Sequence, residues 1–450
     1  MAASQVALKS QSDLLSRMEE ARGRTDAIYD SLPPNSYYER PIPERHRLIF
    51  YLGHLEAFDW NLLSGPLGLA TNDAAFDRLF AFGIDPVDGG LPKDTPKDWP
   101  SIARVEIYNA NIRRRLDQGL RKIAASGDGP RELSDGTLLH VAIEHRLMHA
   151  ETLAYLLHNL PIAKKILPAR PHADAQPAPI ARQVEIPAGV ATLGMPATPR
   201  RAFGWDNEFG EQQIQTPGFS IDVFPVTNSE YLKFVQAGGY DDARSWKPDD
   251  WVWKQSAGIE HPHFWSMKSG ARADDPNAEW EYRTMFGAIP LPPAWPVYVS
   301  HAEASAYAKW AGKKLPTEAQ WHRAAYGTPH GIERAYPWGE SAPRTRNGNF
   351  HHQNWDATAV DAHPDGQSAF GVFDLLGNGW EWTSTAFGPL PGFEKFSFYP
   401  GYSANFFDGQ HFVMKGGSAR TDACMLRRSF RNWFQPHYPY VYSKFRCVED

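Results

Sequence analysis

Two histidines stand four residues apart in "AIEHRLMHAETLAYLLHNL", residues 142–160. On a helix, positions i and i+4 share one face. His145 and His149 can therefore grip one metal ion, as paired histidines do on zinc-protease helices. The chain holds 17 histidines, so one such pair decides little by itself. A third histidine changes the reading. His54 lies within "FYLGHLEAFDW", where Leu52, Leu55 and Phe58 mark a core-facing apolar stripe. A buried imidazole needs partners for its ring nitrogens. His54, His145 and His149 together offer three nitrogen ligands and leave coordination positions open, which marks a catalytic metal rather than a structural one. Ligand type alone suits zinc, iron or copper. Glu151, two residues past His149, is read as a group that supports a ligand from behind rather than as a ligand. His140 and Glu144 stand close by in sequence.

Helices must position these side chains. "SDLLSRMEEARGRTDAIYDSL", "RHRLIFYLGHLEAFDWNLLSG", "SIARVEIYNANIRRRLDQGLRKIAASG" and "SDGTLLHVAIEHRLMHAETLAYLLHNLP" repeat apolar residues at helical spacing. Gly65 and Pro161 supply stops, and Ser101 is a candidate N-cap. Four amphipathic segments fit a four-helix bundle over residues 1–168, whose core can gather ligands from facing helices. Residues 169–183, within "LPARPHADAQPAPIARQ", are rich in Pro and Ala and read as a linker. From 184 to 450 the chain turns to short strands, turns and Trp clusters. Only "SHAEASAYAKWAG" and "TEAQWHRAAYG" read as helical there.

Composition narrows the function. At 450 residues the chain is too long for one ordinary core. A net charge of −6 argues against nucleic-acid binding, which favours a basic face. Cys424 and Cys447 are the only cysteines, too few for a disulfide framework or a Cys-based zinc site. The first residues lack an apolar signal core, and no run reaches the roughly 18 apolar residues of a membrane span. The expectation is a cytoplasmic enzyme, monomer or homodimer, acting on small molecules.

The pattern H-x-x-x-H-x-E on a late bundle helix, with an earlier helix histidine, resembles the DinB-like half of ergothioneine-biosynthetic sulfoxide synthases. "YVSHAEASAYAKWAGKKLPTEAQWHRAA", "YPWG", "LLGNGWEWT", "FVMKGGSA" and "SFRNWFQPHYPYVYSKFR" resemble the formylglycine-generating-enzyme, or sulfatase-modifying-factor, fold, a C-type-lectin-like α+β architecture. "FGWDNE", "VTNSEYLKF" and "PGYSANFFDGQHF" are closer to the sulfoxide synthases. The resemblance covers nearly the whole chain. It implies a mononuclear non-heme iron(II) enzyme that uses O2 to join a thiol sulfur to the imidazole of hercynine, the trimethylbetaine of histidine, giving a sulfoxide. It makes His54, His145 and His149 the iron ligands. It places Asn432 and Trp433 at hercynine, where an aromatic face suits a quaternary ammonium. It also implies a tyrosine near the metal as proton or electron donor, for which Tyr399 and Tyr402 are the candidates.

The chain departs from the mycobacterial-type enzymes in the donor site. Phe434 and Tyr438 stand where those enzymes have an Asp and an Arg serving γ-glutamylcysteine. Without these charges a doubly acidic dipeptide loses its anchors, so cysteine is the expected thiol. Met148 replaces a Gln before the last ligand and removes one hercynine contact. Selenoneine synthases share the architecture and join hercynine to a selenosugar. That C–Se reaction is the alternative. Three other classes fit less well. A formylglycine-generating enzyme needs two neighbouring copper-binding cysteines. A zinc-dependent thiol transferase needs no large second domain. A lectin-like binding module leaves His54 unexplained.

Overall fold

The computed structural model describes residues 11–81, 91–126, 130–167, 175–197, 202–268 and 278–450. The chain divides into two compact units, Met1–Ala169 with Arg200–Phe203, and Arg170–Pro199 with Gly204–Asp450. Residues 169–174 of the expected linker lie outside the described residues. Residues 175–182 carry no regular element.

The first unit is helical: α1 (Gln11–Tyr29), α2 (Leu48–Leu63), α3 (Ala74–Leu79), α4 (Ile102–Ser126), α5 (Arg131–Ser134) and α6 (Thr137–His158). The four long helices are those expected from periodicity. α1 packs on α6 and α4, and α2 packs on α4 and α6, which closes a four-helix ring. α3 is a short addition, capped by the Asp73 carboxylate accepting from the backbone N–H groups of Ala75 and Phe76. α2 and α6 are buried along nearly their whole length, which is why neither shows a strong polar face.

One charged network ties the four long helices together. Arg146 on α6, 1% exposed, pairs with Glu56 at 2.9 Å and Asp59 at 2.7 Å, both on α2. Arg113 on α4 pairs with Glu56 at 2.7 Å and with Asp26 of α1 at 2.7 Å. Burial alone would raise the Glu56 carboxyl, but Arg146 and Arg113 outweigh it and hold it down at about 2. Burial leaves Asp59 raised.

The second unit mixes short strands with helices. Its strands are β1 (Gln183–Ile186), β2 (Gly189–Leu193), β3 (Gln212–Thr216), β4 (Phe219–Asp222), β5 (Trp265–Met267), β6 (Trp280–Thr284), β7 (Gly287–Pro290), β8 (Gly379–Ala386), β9 (Phe412–Gly417), β10 (Asn432–Phe434), β11 (Ser443–Lys444) and β12 (Val448–Glu449). The largest sheet has the order β10-β9-β8-β11, antiparallel except for the β11–β8 pair. Glu381, fully buried on β8, accepts two hydrogen bonds from Arg446 at 2.7 Å each and one from the Trp321 indole at 2.9 Å. The motif "LLGNGWEWT" thus serves the core.

The two helices expected in this unit form, as α9 (His301–Trp310) and α10 (Glu318–Tyr326), but α7 (Asn228–Gln236) and α8 (Pro248–Ser256) precede them. Both are nine residues long, as α10 is, so length does not separate them from the helices expected. Their start signals were legible. Thr227 and Glu230 form a capping box, and Pro248 opens α8. No helix among the described residues is long and apolar enough to cross a membrane.

Removing a buried ion's partner strands the rest of the network. Arg146→Ala should cost the helical unit about 3–5 kcal/mol, read as the loss in its urea unfolding transition by far-ultraviolet circular dichroism. A loss below about 1 kcal/mol would mean that the network contributes no more than a surface pair.

Candidate metal centre

α2 and α6 bring His54, His145 and His149 together. Their ligand nitrogens all lie within 4.8 Å of one another. The ring centroids are 5.5 Å apart for His54–His145, 5.0 Å for His54–His149 and 4.5 Å for His145–His149. All three side chains are buried. Among the described residues this is the one cluster of His, Cys, Asp or Glu with metal-ligating geometry.

Two of the rings, those of His54 and His145, are held by their surroundings. Nδ1 of His54 lies 2.7 Å from the backbone carbonyl of Phe80. A carbonyl can only accept, so Nδ1 carries the proton and Nε2 presents its lone pair. The neighbouring Gly53 makes this possible. A Cβ there would stand 2.5 Å from the Phe80 ring, so only glycine lets Phe80 close onto α2. Phe58 stacks on His145 at 3.4 Å and 10°. Phe50 stacks on His54 at 4.9 Å.

The electrostatics favour neutral ligands. Burial pushes His54 down to about 4. Burial, then the neighbouring histidines and Arg146, holds His145 well below the usual imidazole range. Burial does the same for His149, with His54, Arg45 and Arg146 adding to it. The rings are therefore uncharged at neutral pH with lone pairs available. Neither ring nitrogen of His149 has a hydrogen-bond partner among the described residues. Leaving such an atom unsatisfied costs about 1–3 kcal/mol, and a cation at the cluster would remove that cost. The donor set fits a divalent transition metal with open positions.

Glu151 is half-buried and does not join the cluster. Two residues along a helix turn the side chain by about 200°, which takes it off the face that carries His145 and His149.

The second unit gathers the remaining candidates into two aromatic groups. Tyr402 stacks on Trp205 at 3.9 Å, lies 5.6 Å from Tyr399 and meets Trp433 edge-on at 5.4 Å. Phe387 covers Trp433 at 4.1 Å and 8°. Burial, reinforced by Asp206, pushes the Tyr399 hydroxyl up to about 12. Asn432 accepts from the backbone N–H of Trp433 through its side-chain oxygen at 2.9 Å. Phe434 stacks instead on Tyr438, at 5.3 Å and 9°, and Tyr438 meets Tyr440 edge-on. Successive residues of a strand point to opposite faces, so Trp433 and Phe434 enter different groups. Sequence reasoning missed Trp205, Phe387 and Phe80. Burial raises the Cys447 thiol well above its usual range, and Cys424 is half-buried. Neither is a prepared copper ligand.

Comparison with known proteins agrees with this layout. Residues 17–153 match the DinB superfamily, and residues 169–450 match the sulfatase-modifying factor enzyme 1-like domain. Hercynine oxygenase of Mycobacterium tuberculosis is 35% identical over 358 residues, spanning 78% of each chain. Hercynine oxygenase of Mycolicibacterium thermoresistibile is 30% identical over 466 residues, spanning 99% of this chain and 96% of its own. The chain belongs to the hercynine oxygenase family. It is thus an oxygenase with a DinB-like helical domain and a sulfatase-modifying-factor-like domain. Ergothioneine biosynthesis protein 1 of Neurospora crassa is 29% identical over 503 residues, spanning 93% of this chain and 55% of that longer protein.

Gly53→Ala should weaken metal retention without unfolding the bundle, because Phe80 must retreat and release His54. His149→Ala should abolish retention. Elemental analysis after dialysis against iron(II), beside circular dichroism, checks both. Full metal content in His149→Ala would remove the site.

Proposed function

We propose that this chain is a non-heme iron(II), O2-dependent enzyme that joins the sulfur of cysteine to the imidazole carbon of hercynine, giving a sulfoxide in ergothioneine biosynthesis. Residues 1–168 carry the metal ligands, 169–183 act as a linker and 184–450 form the second domain. The buried cluster of three neutral histidines is the observation that carries this reading, set in a chain of this family. The overall change balances as thiol plus imidazole C–H plus O2 giving the C–S sulfoxide and water. One oxygen atom stays on sulfur, and the thiol and ring hydrogens leave in the water.

His54, His145 and His149 would hold the iron(II), which would supply one-electron reactivity toward O2, as zinc would not, and would favour the thiolate form of a thiol donor. The chain's own groups do the rest. The Phe80 carbonyl keeps His54 in the tautomer that presents Nε2. The face of Trp433 receives the trimethylammonium of hercynine. Asn432, its oxygen engaged by the Trp433 backbone, keeps its amide hydrogens for the hercynine carboxylate. Tyr399 and Tyr402 remain the candidates for proton donor near the reacting carbon. A hydroxyl held at about 12, as in Tyr399, keeps its proton at neutral pH. Phe434 and Tyr438 line the donor site.

The test is anaerobic reconstitution with iron(II), followed by hercynine, O2 and, in parallel, cysteine, γ-glutamylcysteine or a selenosugar. Mass spectrometry should find the cysteine adduct carrying one oxygen. A selenium adduct alone would move the reaction to C–Se bond formation. No adduct in the presence of bound iron would remove the substrate assignment. In the same assay Trp433→Leu should raise the KM for hercynine roughly tenfold, given about 1–2 kcal/mol for a desolvated cation–π contact, and leave the donor KM unchanged.

A further inference from the structure

The loop that follows β10 carries a histidine that none of this chemistry uses. Nε2 of His437 lies 2.8 Å from Oδ1 of Asp250. Its ring lies flat on Trp253, with centroids 4.5 Å apart and planes at 7°. The Asp250 side chain is 9% exposed, whereas that of His437 keeps 32% of its surface open. Asp250 and Trp253 stand three apart on α8, so one helix face supplies both restraints. A ring fixed at one nitrogen by a carboxylate and on one face by an indole has a single orientation. Its other nitrogen, Nδ1, has no hydrogen-bond partner among the described residues.

The surroundings say what Nδ1 can take. The segment "NWFQPHYPYVY", residues 432–442, contains no carboxylate and no Lys or Arg. Lys247, one turn before Asp250, sets its ammonium 5.6 Å from the Phe412 ring, and Phe412 pairs with Phe434 across β9 and β10. His301, which feels Lys247, Asp250 and His437, is driven down to about 3, chiefly by burial, and so adds no charge. Lys247 and Asp250 offset one another, so a ligand that meets Nδ1 of His437 finds among these side chains one donor and no second cation. That matches one carboxylate group and not the two of an acidic dipeptide. Phe434, the last residue of β10, stacks on Tyr438 of the same loop, and the two offer apolar surface for the remainder of a small ligand.

We propose that His437, oriented by Asp250 and Trp253, anchors the carboxylate of the donor amino acid, its Nδ1–H donating to a carboxylate oxygen while its Nε2–H stays on Asp250. This rests on the reading that Phe434 and Tyr438 line the donor site. It assigns to His437 the task that the absent arginine at position 438 cannot perform. His437 is the binding residue and Asp250 a positioning residue.

The test is calorimetric titration of the full-length, iron(II)-loaded, hercynine-saturated protein under anaerobic conditions, with cysteine and with cysteamine, which lacks the carboxylate. The wild-type chain should bind cysteine more tightly than cysteamine. His437→Ala should raise the cysteine Kd roughly ten- to hundredfold, as loss of a charge-assisted hydrogen bond does. It should leave the Kd values for cysteamine and hercynine within about twofold, inside the ±0.5 kcal/mol expected of a change that touches neither. His437→Gln, which keeps the size and a donor, should fall between. Asp250→Asn should weaken cysteine in the same selective sense. An unchanged hercynine Kd shows that each variant is folded. Equal weakening of cysteine and cysteamine, or no change in either, overturns the anchor while leaving the reaction standing. Wild-type protein that binds hercynine but not cysteine removes the donor reading, and the anchor falls with it.

Discussion

The metal centre depends on a salt-bridge network that never touches it. Arg146 is fully buried on α6 and is shared by Glu56 and Asp59 of α2. Arg113 then extends the chain of charges from Glu56 to Asp26 on α1. Such pairs add little net stability over apolar packing, but a partner lost from a buried pair is costly. A slide of α2 along α6 by one residue would strand charges at the centre of the bundle. That penalty fixes the register. His54 stands two residues before Glu56, and His145 stands immediately before Arg146. The same register therefore delivers three imidazoles to one point.

The network also sets the charge around the cluster. Burial chiefly opposes protonation of the three histidines, and the Arg146 guanidinium adds to it. Alone, that guanidinium would repel a bound cation as well. Glu56, held ionised, offsets it. The histidines stay neutral and their lone pairs are available to a divalent ion. Phe80, which caps the C-terminal end of the short helix α3, completes the arrangement, and its carbonyl selects one tautomer of His54.

Much of this was legible in the chain. The spacing of His145 and His149 requires only helical geometry, and the apolar run around His54 placed it inward. The long helices announced themselves by length and period. Other features could not be read. The Phe80 carbonyl is a backbone group, and no residue type signals it. Gly53 is ambiguous in sequence and meaningful only once the Phe80 ring lies against it. α7 and α8 run for about two and a half turns and were not among the expected helices, although the capping box at Thr227 and Pro248 mark their starts. The division of Trp433 and Phe434 between two aromatic groups follows from a three-residue strand inside a Pro-rich loop, where sequence alone cannot assign faces.

That division bears on how the family's scaffold can change its donor. β10 presents neighbouring side chains to different surroundings, so substitutions at 434 and 438 leave the packing of Trp433 against Phe387 and Tyr402 untouched. A charged pair can give way to stacked rings there without disturbing the face assigned to hercynine. The Glu381–Arg446 pair lies elsewhere in the sheet, whereas Arg431, paired with Glu318, directly precedes β10 and sits over Phe387. Under the proposed roles, the side chains assigned to the donor are thus separate from the one assigned to the betaine.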